Sequence, residues 1–366
     1  MILLAPGPVN VSPRVTAALA RGDMCHREPE FHRLLDSIRA KLVAAFAPRA
    51  DYCAIPITGS GTLALEAAVS SSVSPGRRLM VVANGVYGER ILDMARAHAI
   101  EAVALRSEWT SPPDLDRVAE VLAEDPAIEV VAVVHHETTT GLRNPLEAIG
   151  RTVRQAGRIL LVDAISALAG EVAELDAWGI DVCVGVANKC IQGLPGAAFV
   201  LARRGQLERM AKLPARSVYM HLPAHHAAHE QGSVPFTAAV QVFYAFDEAL
   251  DELLEESVTA RIARYAGAAH QLRRGFARLG LERLLPEELC SNSITTLALP
   301  PGQDYPGLHD RLKADGFVIY AGQGRLSRSV FRVANMGALE REDFVRFLDS
   351  LGGALDRVAA QPALER

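Results

Sequence analysis

The sequence is short of cysteine, of net charge and of long apolar runs, and each shortage closes off a class of protein. Its five cysteines (Cys25, Cys53, Cys183, Cys190 and Cys290) are odd in number and never spaced Cys-x-x-Cys. That pattern supports neither a disulfide framework nor a structural zinc site, and a reducing cytoplasm is the expected setting. The 38 Lys and Arg against 43 Asp and Glu leave a net charge of -5, which provides no basic surface for nucleic acid or an anionic membrane. No apolar run reaches the roughly 20 residues of a membrane-spanning helix. The opening MILLAPGPVN has no basic stretch and meets prolines at once, so it does not read as a signal peptide. What remains is an ordinary globular balance, 49% hydrophobic and 22% charged over 366 residues, which suggests one large domain and a smaller one.

Short apolar runs alternate with helix-like segments through most of the chain. YCAIPI, RLMVVAN, VVAVVHH, ILLVDAI, IDVCVGV and AAFVLAR are rich in Val and Ile and mostly do not alternate, as strands covered on both faces do not. LALEAAVSS, GERILDMARAH, LDRVAEVLAED and NPLEAIGRTVRQAG between them read as helices. Strand–helix alternation predicts an α/β fold with a mainly parallel sheet. After about residue 255 the texture changes to a long helix, then SITTLALP, a helix, GFVIY, SVFRVAN and a last helix, the pattern of a small α+β domain. The predicted division is a large domain over 16–255 and a small one over 256–366, with the segment 1–15 joining the latter. The tail AAQPALER is expected to fray.

Three motifs carry chemistry. In ITGSGTLALEAAV, residues 57 to 69, a strand ends in a Gly-Ser-Gly-Thr turn and a helix begins. Freed backbone amides and the Ser60 and Thr62 hydroxyls there form an anion cup, although an ordinary capped turn would look alike. In ILLVDAISALAG, Asp163 closes an apolar strand, where α/β sites are built. A carboxylate there needs a cation to offset its desolvation, unless it merely caps a helix. In VANKCIQGLPG, Lys189 follows 26 residues later, a gap that fits one helix and one strand. A snorkelling surface lysine is the bland alternative; a desolvated amine of lowered pKa is suited to a Schiff base. An anion cup, a strand-end carboxylate and a buried amine in this order match the needs of pyridoxal 5'-phosphate.

On these residues the chain resembles the class V, fold-type I pyridoxal phosphate aminotransferases. The resemblance also rests on LLAPGPVNVSP, VANGVYGERILDMA, VVHHETTTGLRNPLEAIG, PFTAAVQVFYAFDEAL and GFVIYAGQGRLSRSVFRVANMG, and runs from about residue 2 to about residue 352. ETTTG and ANKCIQGLPG are similar to the branch that transfers the amino group of 2-aminoethylphosphonate to pyruvate. The resemblance implies an aspartate aminotransferase-like, seven-stranded-type sheet in a large cofactor-binding domain, with a small α+β C-terminal domain. It implies that Lys189 forms the Schiff base, Asp163 pairs with the pyridine nitrogen and Tyr87 stacks on the ring. Ser60, Gly61 and Thr62 would hold the phosphate with Asn188 close by, and Thr138 would reach the ring hydroxyl. Thr237 would reach the cofactor of a neighbouring subunit, making the active unit a homodimer, and Arg332 would clamp the substrate's acidic group. An always-charged, bidentate guanidinium suits that role.

Other features are discounted. His225 and His229 stand four residues apart in HLPAHHAAH, but the family uses no metal and a polar helix face explains them. His135 and His136 are expected to line the site without acting in the chemistry. Cys190 reads as a small packing residue, because the loop AGQGRLSRSV, where desulfurase relatives keep their reactive cysteine, contains none. The segment DMCHREPEF sits where family members vary, so its His26, Arg27 and Glu28 bear on the choice of amine donor. Alternatives from the same residues are an alanine–glyoxylate or serine–pyruvate transaminase, a pyridoxal phosphate lyase or desulfurase, and a non-catalytic cofactor-binding regulator.

Overall fold

The computed structural model describes residues 1–49 and 51–359. The expected fraying of the tail concerns residues that lie, from 360 on, outside this range. Seven strands form the main sheet: β1 (Tyr52–Thr58), β2 (Arg78–Ala83), β3 (Ala102–Arg106), β4 (Ile128–Val134), β5 (Ile159–Asp163), β6 (Val182–Val186) and β7 (Ala197–Arg203). Their spatial order is β1-β7-β6-β5-β4-β2-β3. Only β7 runs against its neighbours, pairing antiparallel with β1 and β6. The other pairs are parallel.

The non-alternating apolar runs are explained by cover on both sheet faces. Val131 and Val133 of β4 belong to one core, whereas Val130 and Ala132 belong to the other. Helices α2 (Gly61–Ser72) and α3 (Val86–Ala97) cover the second face. The first face is covered by α1 (Pro29–Phe46), α4 (Leu115–Glu124), α5 (Leu146–Gln155) and α6 (Val240–Glu256). β3 is a strand that the apolar runs do not announce. It closes one edge of the sheet, and Ala102 and Arg106 at its ends are exposed, so its sequence AVALR carries only a partial burial signal.

A second, three-stranded antiparallel sheet has the order β8 (Ile294–Ala298), β10 (Val330–Ala334), β9 (Tyr320–Ala321). Its core includes Phe276 of α7 (Val258–Arg278) and Phe344, Phe347 and Leu351 of α8 (Arg341–Ala359). The chain's first residues join this part: Ile2 and Leu3 pair in parallel with Phe317 and Val318. From there residues 4–9 lead back to the main sheet's C-terminal edge, where the parallel strands all end.

Candidate active site

The carboxyl ends of five strands supply the site. After β1, the N–H of Gly59 bonds the carbonyl of Gly196 at 2.9 Å, and Ser60 caps α2 by accepting the N–H of Leu63 at 3.3 Å. Gly61 is needed for a close approach: a Cβ there would stand 2.9 Å from Ile165. The first turn of α2 is thereby pressed against the segment that follows Asp163. Thr62 accepts a hydrogen bond from Arg90 Nη1 at 3.4 Å.

Asp163 is the last residue of β5 and is 4% exposed. Among the described residues its carboxylate takes one hydrogen bond, from the N–H of Ile165 at 3.0 Å. Burial pushes its pKa up to about 7; the Ile165 N–H opposes the rise, and the Glu137 carboxylate adds to it. Lys189 lies three positions beyond the end of the neighbouring strand β6. Its turn is closed by Gln192 N–H to Lys189 O at 2.9 Å and Gly193 N–H to Ala187 O at 2.8 Å. Gln192 takes a left-handed φ of 68° and is held there because its amide donates to the Tyr265 hydroxyl at 2.7 Å and the Gly337 carbonyl at 2.6 Å. The carbonyl of Cys190 accepts from Arg261 at 3.1 Å and Tyr265 at 3.3 Å, both on α7. The Lys189 amine donates to the carbonyl of Pro6. Lys189 is only partly exposed, and desolvation draws its pKa down to about 8; the Arg332 cation acts the same way, against Cys190 and Asp163.

Tyr87 sits in the first turn of α3, half-buried, with the Arg90 guanidinium 4.7 Å over its ring centroid. The start of α3 is held by a residue from another segment. The buried Glu137 carboxylate accepts the Tyr87 N–H at 3.2 Å and the Thr139 N–H at 3.1 Å, and Thr139 Oγ1 accepts the Val86 N–H at 3.1 Å. Burial pushes the Glu137 pKa up. Between these residues the Thr138 carbonyl accepts from Arg332 Nη1 at 2.8 Å. Arg332 occupies the middle strand of the second sheet at 2% exposure. Its other bonds go to the Ala321 carbonyl at 2.9 Å and Gln323 Oε1 at 3.1 Å. Among the described residues no carboxylate lies within 4.0 Å of this buried guanidinium. Its hydrogen bonds leave Nη2 uncommitted for an anion.

The structure therefore brings Asp163, Lys189, Tyr87, Thr138 and Arg332 together at the carboxyl edge of the main sheet, and Arg90 links Tyr87 to Thr62 of the Ser60–Thr62 turn. Asn188 precedes the lysine and is half-buried. Thr237 stands apart, exposed on the loop before α6, in the lining of a small cleft with Thr58 and Phe236. Sequence reasoning passes over Glu137, Arg90, Pro6 and Gln323. Of these, only the Glu in HHETTTG carried a signal, as a carboxylate placed directly after an apolar strand.

His225 and His229 do not form the expected polar helix face: both are buried, and neither ring nitrogen of His229 has a hydrogen-bond partner among the described residues. His225 lies 2.7 Å from the Tyr219 carbonyl through Nε2, so that nitrogen carries a proton. Burial pulls the pKa of His135 to about 3 and of His136 to about 4, leaving both neutral. Burial pushes the Cys190 thiol up to about 12, the opposite of an activated nucleophile.

A pyridoxal phosphate cofactor fits these groups. Asp163 is a buried carboxylate with no cation within 4.0 Å among the described residues, and a pyridinium N–H supplies one in direct contact. The Lys189 amine is desolvated enough to act as a nucleophile, and the turn before α2 offers unpaired N–H groups to a phosphate. Fold and site thus define a pyridoxal phosphate enzyme of the aminotransferase type. The sequence matches the family Aminotransferase class-V over residues 12–334. It is 40% identical to a 2-aminoethylphosphonate–pyruvate transaminase of Syntrophobacter fumaroxidans over 97% of this chain and 96% of that one. It is 37% identical to a protein of the same name from Vibrio cholerae, covering 97% of each. The structure superposes on the aspartate aminotransferase of subgroup IV from Thermus thermophilus with a TM-score of 0.90 and 28% identity, over 98% of this chain and all of that one. The chain belongs to the class V aminotransferases, and its cofactor is pyridoxal 5'-phosphate.

Proposed function

We propose that the protein transfers the amino group of 2-aminoethylphosphonate to pyruvate, giving phosphonoacetaldehyde and L-alanine. The relatives named for that reaction support the reading. The observation that carries it is Arg332, a buried guanidinium without an acidic partner among the described residues, close enough to lower the Lys189 pKa. An acid group seated on Arg332 Nη2 places the substrate's other end toward Lys189. The acid group is a phosphonate in the first half-reaction and the pyruvate carboxylate in the second.

In this reading Lys189, Asp163 and Tyr87 hold the cofactor ring, and Ser60, Gly61, Thr62 and Asn188 hold its phosphate. Thr138 reaches the ring hydroxyl, and Thr237 of the neighbouring subunit in a homodimer completes the phosphate site. Bound there, pyridoxal phosphate supplies an electron sink that stabilises negative charge on the carbon bearing the amino group. Lys189, with a pKa of about 8, is free base often enough at neutral pH to take a proton from that carbon and return it. Asp163, given a cationic partner, stays ionised and keeps that partner protonated. Arg332 orients the substrate, and the closed Lys189 turn keeps the amine from swinging away. We assign residues 16–255 to the cofactor-holding unit and 256–366, with 1–15, to the unit that brings Arg332. The free cysteines accord with a cytoplasmic setting. No described helix is long and apolar enough to cross a membrane.

The test is a comparison of amine donors with pyruvate as acceptor. Purified protein should form alanine from 2-aminoethylphosphonate far faster than from serine. Preference for serine, or for alanine with glyoxylate, would replace this reading with an α-amino acid transaminase. Product beyond one equivalent per site without added pyruvate would indicate a lyase.

A further inference from the structure

The groups assigned to the phosphate are all neutral: backbone N–H groups, the hydroxyls of Ser60, Thr62 and Thr237, and the Asn188 amide. A phosphate ester carries close to two negative charges at neutral pH. Removing that charge from water beside the buried carboxylates Asp163 and Glu137 is unfavourable unless a cation stands near. Arg90 meets this requirement. Its Nη1 donates to Thr62 Oγ1, in the first turn of α2, at 3.4 Å. The guanidinium lies 4.7 Å from the Tyr87 ring centroid, one helical turn along α3. Among the described residues no carboxylate oxygen comes within 4.0 Å of it, unlike the surface arginines Arg78 and Arg106, which are held by Glu101 and Glu89. Arg90 is close enough to Asp163 to favour its ionised form.

Resting on the cofactor reading above, we propose that Arg90 is the cationic member of the phosphate cup, and that its planar guanidinium also backs the stacking ring of Tyr87. One fork-shaped side chain thereby ties the anion end of the site to its stacking face. Both uses suit arginine better than lysine, because a planar, delocalised cation donates in its plane and stacks on its face.

The experiment compares pyridoxal 5'-phosphate with pyridoxal, which lacks the phosphate, as ligands of the cofactor-stripped protein, read by visible absorbance. Wild type should bind the phosphate ester much more tightly. Arg90→Gln should weaken the ester roughly 10- to 100-fold and leave pyridoxal within about 2-fold, as expected for losing one charge-assisted contact. Arg90→Lys should recover part of the loss. Tyr87→Ala, which removes the ring, should weaken both ligands alike. Equal losses of the two ligands in Arg90→Gln would reduce Arg90 to a prop for Tyr87, and no loss of either would overturn the proposal outright. If wild type binds neither ligand, the cofactor reading itself fails, a result separable from any behaviour of the variants. Circular dichroism of the Arg90 variants excludes misfolding as the cause of a loss, and weakened pyridoxal binding in a misfolded variant would be equally visible.

Discussion

The Glu137 carboxylate accepts the backbone N–H of Tyr87 at 3.2 Å, across a sequence separation of 50 residues. It does for α3 what an N-cap side chain normally does from within the chain, because position 85 is Gly and offers none. Glu137→Ala should therefore destabilise the protein by about 1–3 kcal/mol through loss of a buried acceptor of several N–H groups. It should also weaken cofactor binding through misplacement of Tyr87. Thermal unfolding and cofactor titration on the same sample check both effects. Gly85→Ala should reproduce them, since its Cβ would overlap the Glu137 side chain.

Lys189→Ala should abolish turnover and the borohydride-reducible aldimine absorbance of the cofactor-loaded protein. A variant that keeps both would remove Lys189 from the chemistry. Gly7→Ala should act on the same amine from outside. Its Cβ would stand 2.5 Å from Lys189 Nζ, at a backbone φ of 117° that side chains rarely adopt. A loss of cofactor affinity with little change in overall secondary structure is the expected outcome.

The cofactor-free protein should show opposing pH effects from its two central groups. Asp163 has a folded pKa of about 7, above its ordinary value of 3.8. It therefore contributes stability in full below about pH 4, and that contribution is lost as the pH rises through about 7. Lys189 has a folded pKa of about 8, below its ordinary 10.5. Its contribution is present above about pH 10.5 and is lost as the pH falls through about 8. Asp163→Asn should flatten the decline in Tm between about pH 4 and 7, and Lys189→Met should flatten the rise above about pH 8. Melting curves across this range check the signs.

Arg332→Gln should raise KM for both the phosphonate amine and pyruvate by roughly 10- to 100-fold, the worth of one charged hydrogen bond. Binding of the cofactor alone should change little. Steady-state kinetics with each substrate varied in turn would detect a loss confined to one of them, which would assign the acid groups to different seats.

Cys190→Ala should leave the transamination rate within about 2-fold of wild type and lower stability by about 1 kcal/mol, as for a small packed side chain. A large loss of rate would show that the thiol takes part in chemistry despite its burial.

The sequence by itself determined six of the seven main-sheet strands, their mainly parallel arrangement and their order along the chain. Runs such as VVAVV and ILLVD are apolar without alternation because both faces are covered, and a glycine-rich turn, a strand-end Asp and a Lys in a small-residue turn mark a shared edge. These signals are local, so they survive in the linear chain. The edge strand β3 was illegible because half-exposed residues carry little pattern. Glu137 under Tyr87, the Pro6 carbonyl at Lys189 and Arg90 between Thr62 and Tyr87 were decided only by tertiary structure. Each joins groups distant in sequence whose partners are backbone atoms or aromatic faces, and neither leaves a compositional trace. Burial likewise set the protonation of Asp163 and Lys189, because desolvation depends on everything packed around a group and not on the residues beside it in the chain.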